Sequence, residues 1–220
     1  MPPERAPDSV YDKRAIVYDR LWSRYIRRTH DELMSRVHLA DDQHVLDVGC
    51  GTGVLAQRLA RLHPKMEIVG VDASFRMLAR ARARLSGRSN VTFVRARAEQ
   101  LPFPDASFDL ILSASALHHF TDPSRAFREM RRLLADKGRI AVLDWCRESN
   151  RMRLVDRVLR IIDPSHVRAY TREEILEMAS AEGLSVQSAD KFEVRGYGMM
   201  VILGTRFARS VGEDRRERQP

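Results

Sequence analysis

Short apolar runs alternate with helical patterns along most of the chain. HVLDV (44–48), EIVGVD (67–72), VTFVRA (91–96), FDLILSAS (108–115) and RIAVLDW (139–145) each read as a buried strand. Helical spacing follows at Val54 to Leu62, Phe75 to Leu85 and Ser124 to Leu134. Strands and helices alternating at this distance predict βαβ units, hence a doubly wound parallel sheet with helices on both faces.

The end of the chain breaks this rhythm. Arg151 to Ile162 and Thr171 to Ala181 read as two helices in series, the second opened by a Thr171/Glu174 capping box. LSVQSADKFEVRG and YGMMVILGTRF then read as two strands joined by a turn containing Gly196 and Gly198. Strands so closely linked must be antiparallel. At the other end, Tyr18, Leu21, Trp22, Tyr25 and Ile26 fall at helical spacing within 10–37, predicting a helix over the sheet edge or mouth. The expected organisation is a single domain over 10–207. It has a helical cap or lid (10–40), a helical insertion over the cleft (146–182), and disordered ends at 1–9 and 208–220.

Composition narrows the function class. The 220 residues are 44% hydrophobic and 31% charged, which suits a folded domain rather than a disordered one. No run is long enough for an integral membrane segment, and the start lacks an apolar h-region. Two cysteines, Cys50 and Cys146, are too few for a disulfide scaffold, and no metal site is expected. These features suit a soluble protein in a reducing cytoplasm. The net charge of +8 invites a nucleic-acid reading, but all except four of the 38 basic residues are Arg, scattered among acids. A phosphate-tracking groove needs a clustered patch with stacking aromatics. No nucleic-acid partner is expected.

The strongest local signal is VLDVGCGTG (45–53), a buried strand running into a turn with Gly49, Gly51 and Gly53. In a doubly wound sheet, ligands bind at the carboxyl ends of the strands, where glycines let backbone approach them. A dinucleotide fingerprint would place its third glycine at Val54, so the pattern departs from it. Asp47, two residues before the first glycine, is a poor neighbour for pyrophosphate and a good one for a cation. Asp72 ends the second strand, where an acid accepts hydrogen bonds from ribose hydroxyls. A ligand cationic at one end and a nucleoside at the other has the anatomy of S-adenosylmethionine.

With those residues in hand, the chain resembles class I S-adenosylmethionine-dependent methyltransferases of the small-molecule branch that includes ubiquinone/menaquinone-biosynthesis enzymes. The resemblance rests on YDRLW (18–22), VLDVGCGTG, GVDAS (70–74), LPFPDASFD (101–109), LHHF (117–120) and AFREMRRLLADKGRIAVLDW (126–145). It implies a Rossmann-like seven-stranded sheet, mostly parallel with the last strand antiparallel. It also implies that Gly49, Cys50, Gly51 and Gly53 shape the backbone around the methionine part, with Asp47 at its ammonium and Ser113 beside it. Asp72 would bind the ribose, Ala73 and Met77 would flank the adenine, and Ala98 would offer its N–H with Glu99 alongside. Arg97 stands where the family commonly has Asp. Tyr18 carries the family's YD pair and is assigned to the cofactor side.

On the acceptor side, His118 and His119 follow the fourth strand, with one of them expected to face inward, and Asp144 and Trp145 end the fifth. His118, His119 and Asp144 are the candidate proton-handling residues. Tyr11, Tyr197, Met199, His166 and Tyr170 are further candidates for the pocket wall. The expected activity is methyl transfer to oxygen or carbon of a small apolar or aromatic acceptor, by a monomer or homodimer. An RNA- or protein-modifying enzyme and a non-catalytic cofactor-binding partner are the alternatives. The helix from Arg151 is expected to pack through Met152, Val155, Leu159 and Ile162, with Arg153, Arg157 and Arg160 on a solvated back; resting on a membrane surface is the alternative reading.

Overall fold

The computed structural model describes residues 23–207, so Tyr11, Tyr18, Trp22 and the two ends lie outside the described residues. Strand β1 (His44–Val48) is buried at every position but the first, as a strand covered on both faces must be. β2 (Glu67–Asp72), β3 (Val91–Arg95) and β4 (Phe108–Ala114) join it in parallel. β5 (Leu134–Trp145) pairs parallel with β4, and β7 (Tyr197–Arg206) runs antiparallel to both β5 and β6 (Leu184–Val194). The seven strands lie in the order β3-β2-β1-β4-β5-β7-β6. The sheet is the expected one, mostly parallel with an antiparallel last strand.

Alternation along the strands sends side chains to two cores. Leu46, Val48, Ile111 and Val142 meet helices α4 (Pro123–Leu133) and α6 (Arg172–Ala181) through Phe127, Met130 and Ile175. Val45, Leu110, Leu112 and Leu143 meet α2 (Val54–Leu62) and the described part of α1 (residues 23–34) through Leu55, Leu59, Tyr25 and Leu33. Helix α3 (Phe75–Arg84) starts at Ser74, whose hydroxyl accepts the Met77 N–H, and buries Met77, Leu78 and Ala81. Helix α5 (Asn150–Ile162) lies between β5 and α6 in the chain.

One strand boundary differs from the sequence reading by more than two residues. β5 begins at Leu134, not Arg139, with a register shift opposite Phe108/Leu110. The polar stretch Ala135–Lys137 hid this part of the strand, because it pairs at the sheet's end rather than in its core. The strand order reverses between β1 and β4, and at such a switch point the loops leaving the two strands part to open a crevice.

Candidate functional site

The turn after β1 is made possible by glycine. Gly49, Gly51 and Gly53 have φ of +76°, +54° and +76°. A Cβ on Gly49 would sit 2.4 Å from the Ala116 Cβ, so the turn closes against the loop after β4. Gly49 N–H and Cys50 N–H both donate to the Val71 carbonyl (2.8 and 2.9 Å). Asp72 completes the stitch: its Oδ2 accepts from Gly51 N–H and its Oδ1 from Ser74 N–H, both at 2.8 Å. The loop is thus held by the end of β2, and two amide donors keep the Asp72 carboxylate fixed.

A cleft of about 1220 Å³, its open mouth included, lies over this turn. Asp47, Gly49, Cys50 and Gly51 line it from β1, and Asp72, Ala73 and Met77 line it from β2 and α3. Ala98 and Glu99 close the far side together with Arg97. Gly53 is absent from this lining; it is the left-handed N-cap of α2 and faces Ala81. Ser113 is also absent. It is fully buried in β4, and its neighbours Ala114 and Ser115 reach the cleft instead. Glu99 caps a loop: its Oε1 accepts from Thr121 N–H (2.8 Å) and Asp122 N–H (3.2 Å), and its Oε2 lies 3.5 Å from Arg97 Nε.

Asp47 is the electrostatic anomaly. Its carboxyl is 1% exposed, and Oδ2 has no hydrogen-bond partner among the described residues. Burial, and secondarily the charge of Asp72, push its pKa up to about 7. A buried acid without a partner is costly unless a ligand supplies one. The glycine turn, the orphaned Asp47 and the fixed Asp72 therefore fit a ligand with an ammonium and a ribose.

At the other end of the cleft, His119 is part of the wall and His118 is not. His119 Nδ1–H donates to the Ser165 carbonyl (2.8 Å), which leaves its Nε2 without a proton. Enclosure by protein and then the neighbouring His118 lower its pKa to about 3. His118 is buried and donates Nδ1–H to Asp144 Oδ1 at 2.6 Å, while its backbone N–H reaches Oδ2 at 3.3 Å. Its Nε2 has no partner among the described residues. Asp144 does not face the cleft as expected: its carboxylate is spent on His118 and on the Trp145 N–H (2.6 Å). Burial would raise the Asp144 pKa, but the His118 charge and these donors outweigh it and hold the group below the usual value.

An aromatic layer backs this pair. His118 stacks on Trp145 (4.7 Å between centroids, 6°), and Trp145 stacks on Tyr197 (5.9 Å, 14°). Trp145 Nε1–H donates to the Tyr25 hydroxyl (2.7 Å), which also contacts Ser115 Oγ (3.2 Å) and Met199 Sδ (3.6 Å). Tyr197, Met199, His166 and Tyr170 are thus support and not lining. His166 bonds Asp156 (2.8 Å) behind the wall, and Ser165 alone of 146–182 lines the cleft. Sequence reasoning missed Thr29, His30, Ser115, Phe120 and Ser165 in the lining. His30 had a signal: it is a polar residue beside the apolar face of α1, it is buried, and its Nδ1 has no partner among the described residues.

Comparison with known proteins points the same way. Residues 46–142 match the family described as "Methyltransferase domain". The match covers this segment alone. It runs from β1 into β5 and so contains the glycine turn, Asp72 and both histidines. S-adenosylmethionine is the cofactor of this methyltransferase domain, in agreement with the fit of Asp47 and Asp72. The chain is 38% identical over 157 residues to the uncharacterized methyltransferase YcgJ of Bacillus subtilis, covering 70% of this chain and 61% of that protein. It is 28% identical to 27-O-demethylrifamycin SV methyltransferase of Amycolatopsis mediterranei, covering 93% and 89% of the two chains. It is 37% identical to the ubiquinone/menaquinone biosynthesis C-methyltransferase UbiE of Hahella chejuensis, covering 65% and 56%. The crystal structure of the Bacillus YcgJ protein superposes with a TM-score of 0.73 at 26% identity, over 83% of this chain and all of that one. The chain thus spans less than two thirds of the length of two of these three relatives.

Proposed function

We propose that the protein transfers a methyl group to oxygen or carbon of a small, apolar or aromatic metabolite. One observation carries the donor side: the buried Asp47 Oδ2, without a partner among the described residues, beside a glycine turn that Asp72 holds in shape. In this reading Asp47 meets the donor's ammonium and Asp72 its ribose. Gly49, Cys50 and Gly51 follow the methionine part, while Ala73, Met77, Ala98 and Glu99 surround the adenine. The donor supplies an electrophilic methyl, and the chain supplies alignment, dryness and a place for a proton.

The acceptor side is built from Tyr25, Ile26, Phe120, Ala114 and Ala116, with His119, Ser115 and Ser165 as its few polar groups. Such a wall suits an apolar ring bearing one or two hydroxyls. His119, held neutral, accepts a hydrogen bond from the acceptor and orients it. With a pKa near 3 it is a poor proton sink. His118, with Asp144 fixing its tautomer, lies behind the wall and would take the acceptor's proton by relay. Removing a proton serves both a hydroxyl acceptor and a ring carbon activated by a hydroxyl, so the pair is consistent with either outcome. The names of the relatives support both, one being an O-demethylrifamycin methyltransferase and another a C-methyltransferase.

The test is incubation with methyl-labelled donor and a panel of phenols, quinols and polyketides. Label in an organic-extractable product is expected. Tight donor binding with no transfer to any of these, or label only in RNA or protein, would overturn the reading.

A further inference from the structure

Helix α5 turns apolar side chains to water. Leu154 is 61% exposed, Val158 43%, Ile161 79% and Ile162 60%, and Val167 just beyond the helix is 39% exposed. Residues 154, 158 and 161 are four and three apart, so they form one stripe. The inward face is carried by Met152 and Asp156, which are buried. The exposed back is therefore not the solvated face that its arginines suggested. Single exposed aliphatic residues are ordinary, but a stripe along a whole helix asks for a partner.

The charges on the same helix say which partner. Arg151, Arg153, Arg157 and Arg160 are exposed. At 100° per residue, Arg153, Arg157 and Arg160 form a shoulder along one side of the stripe. The helix's one acid, Asp156, is turned inward, where it accepts from His166 Nε2 (2.8 Å) and Ala169 N–H (2.7 Å). The outward surface is apolar at its centre and of one sign at its edge. A second copy packed antiparallel on this face across a two-fold axis would set arginine against arginine. A surface of anionic headgroups over hydrocarbon matches both parts.

We propose that α5 docks the protein on an anionic lipid bilayer. Leu154, Val158, Ile161 and Ile162 enter the boundary between headgroups and acyl chains, and the arginine shoulder lies against lipid phosphates. The chain passes from α5 directly to Ser165 in the cleft wall, so docking sets the acceptor side of the cleft near the membrane surface. The inference stands on α5 alone and does not depend on the identity of the acceptor.

Flotation of the full chain with vesicles tests it. Vesicles of phosphatidylcholine with about one third phosphatidylglycerol should carry the protein, and pure phosphatidylcholine should carry about tenfold less or none. The double variant Leu154→Ser/Ile161→Ser should lower partition about tenfold or more. The triple variant Arg153→Gln/Arg157→Gln/Arg160→Gln should remove the preference for anionic vesicles. Both should keep the wild-type affinity for S-adenosylhomocysteine in calorimetry, which confirms folding and is read separately from methyl transfer. Failure of the wild-type chain to float, or equal flotation of the Leu154→Ser/Ile161→Ser variant, would overturn the proposal. So would a concentration-dependent dimer that this variant abolishes, since the face would then belong to a second copy.

Discussion

At the scale of single residues, Asp72 does two jobs with one carboxylate. It holds Gly51 and Ser74 through their amides, and in the proposed reading it also meets the ribose of the donor. Asp72→Ala removes the ribose contact proposed for it and frees the glycine turn that it holds. A charged hydrogen bond is worth about 1.5–3 kcal/mol, so donor affinity should fall by tenfold to over a hundredfold. Calorimetry with S-adenosylhomocysteine reads this directly, and unchanged affinity would remove Asp72 from the site. Asp144 makes the opposite prediction. It touches His118 and Trp145 but not the cleft, so Asp144→Asn should leave donor affinity intact. The amide cannot hold the Nδ1–H tautomer of His118 as a carboxylate does. Turnover should drop about a hundredfold if His118 takes the proton. Wild-type turnover would assign the pair to packing alone.

Among the elements, those set by local chemistry were legible in the sequence. The helix start at Thr171 was visible because a hydroxyl at the N-cap satisfies an amide that no turn can. The strands in the middle of the sheet were visible as unbroken apolar runs, because both faces are covered. The glycine turn and Asp72 were legible for the same reason: backbone geometry constrains residue type. What stayed hidden depends on neighbours distant in sequence. Ser113 lies within β4 and Ser115 in the bend just past its end, and only packing shows that Ser115 reaches the cleft. Asp144 looked like a cleft residue until His118, 26 positions away, was seen to occupy it. The capping box of α6 illustrates the reach of local signals. Thr171 Oγ1 accepts from Glu174 N–H (3.2 Å), while Glu174 Oε2 accepts from Thr171 N–H (2.7 Å) and Glu174 also pairs with Arg147. Thr171→Ala should cost about 1 kcal/mol in urea unfolding, within the range for lost N-caps. Glu174→Ala should cost more, because Arg147 and Arg168 lose a partner too. Equal losses would mean that the ion pairs contribute nothing.

For the molecule as a whole, the buried titratable groups make stability and donor binding depend on pH in separable ways. Asp47 has its pKa raised to about 7, so the stability of its protonated form is present at low pH and lost as pH rises toward 7. His119 and His30 have theirs lowered to about 3, by burial first and then by His118 and Arg58 respectively. Their contribution is complete above the ordinary histidine value and is lost as pH falls below it. Each group can add a slope of at most about 1.4 kcal/mol per pH unit. Between roughly pH 4 and 6.5, two imidazoles oppose one carboxylate, so the ligand-free protein should gain stability with pH. Asp47→Asn removes the opposing carboxylate. Its stability should rise more steeply than that of the wild type, and it should gain on the wild type all the way to pH 7. Binding a cation beside Asp47 reverses the burial effect, since the ammonium favours the ionised carboxylate. Wild-type affinity for the donor should therefore climb as pH goes from about 5 to 8, while that of Asp47→Asn stays flat. Denaturant titrations at several pH values, with and without S-adenosylhomocysteine, measure both trends on the same samples. Parallel curves for the two proteins would mean that Asp47 is not the group that faces the donor's charge.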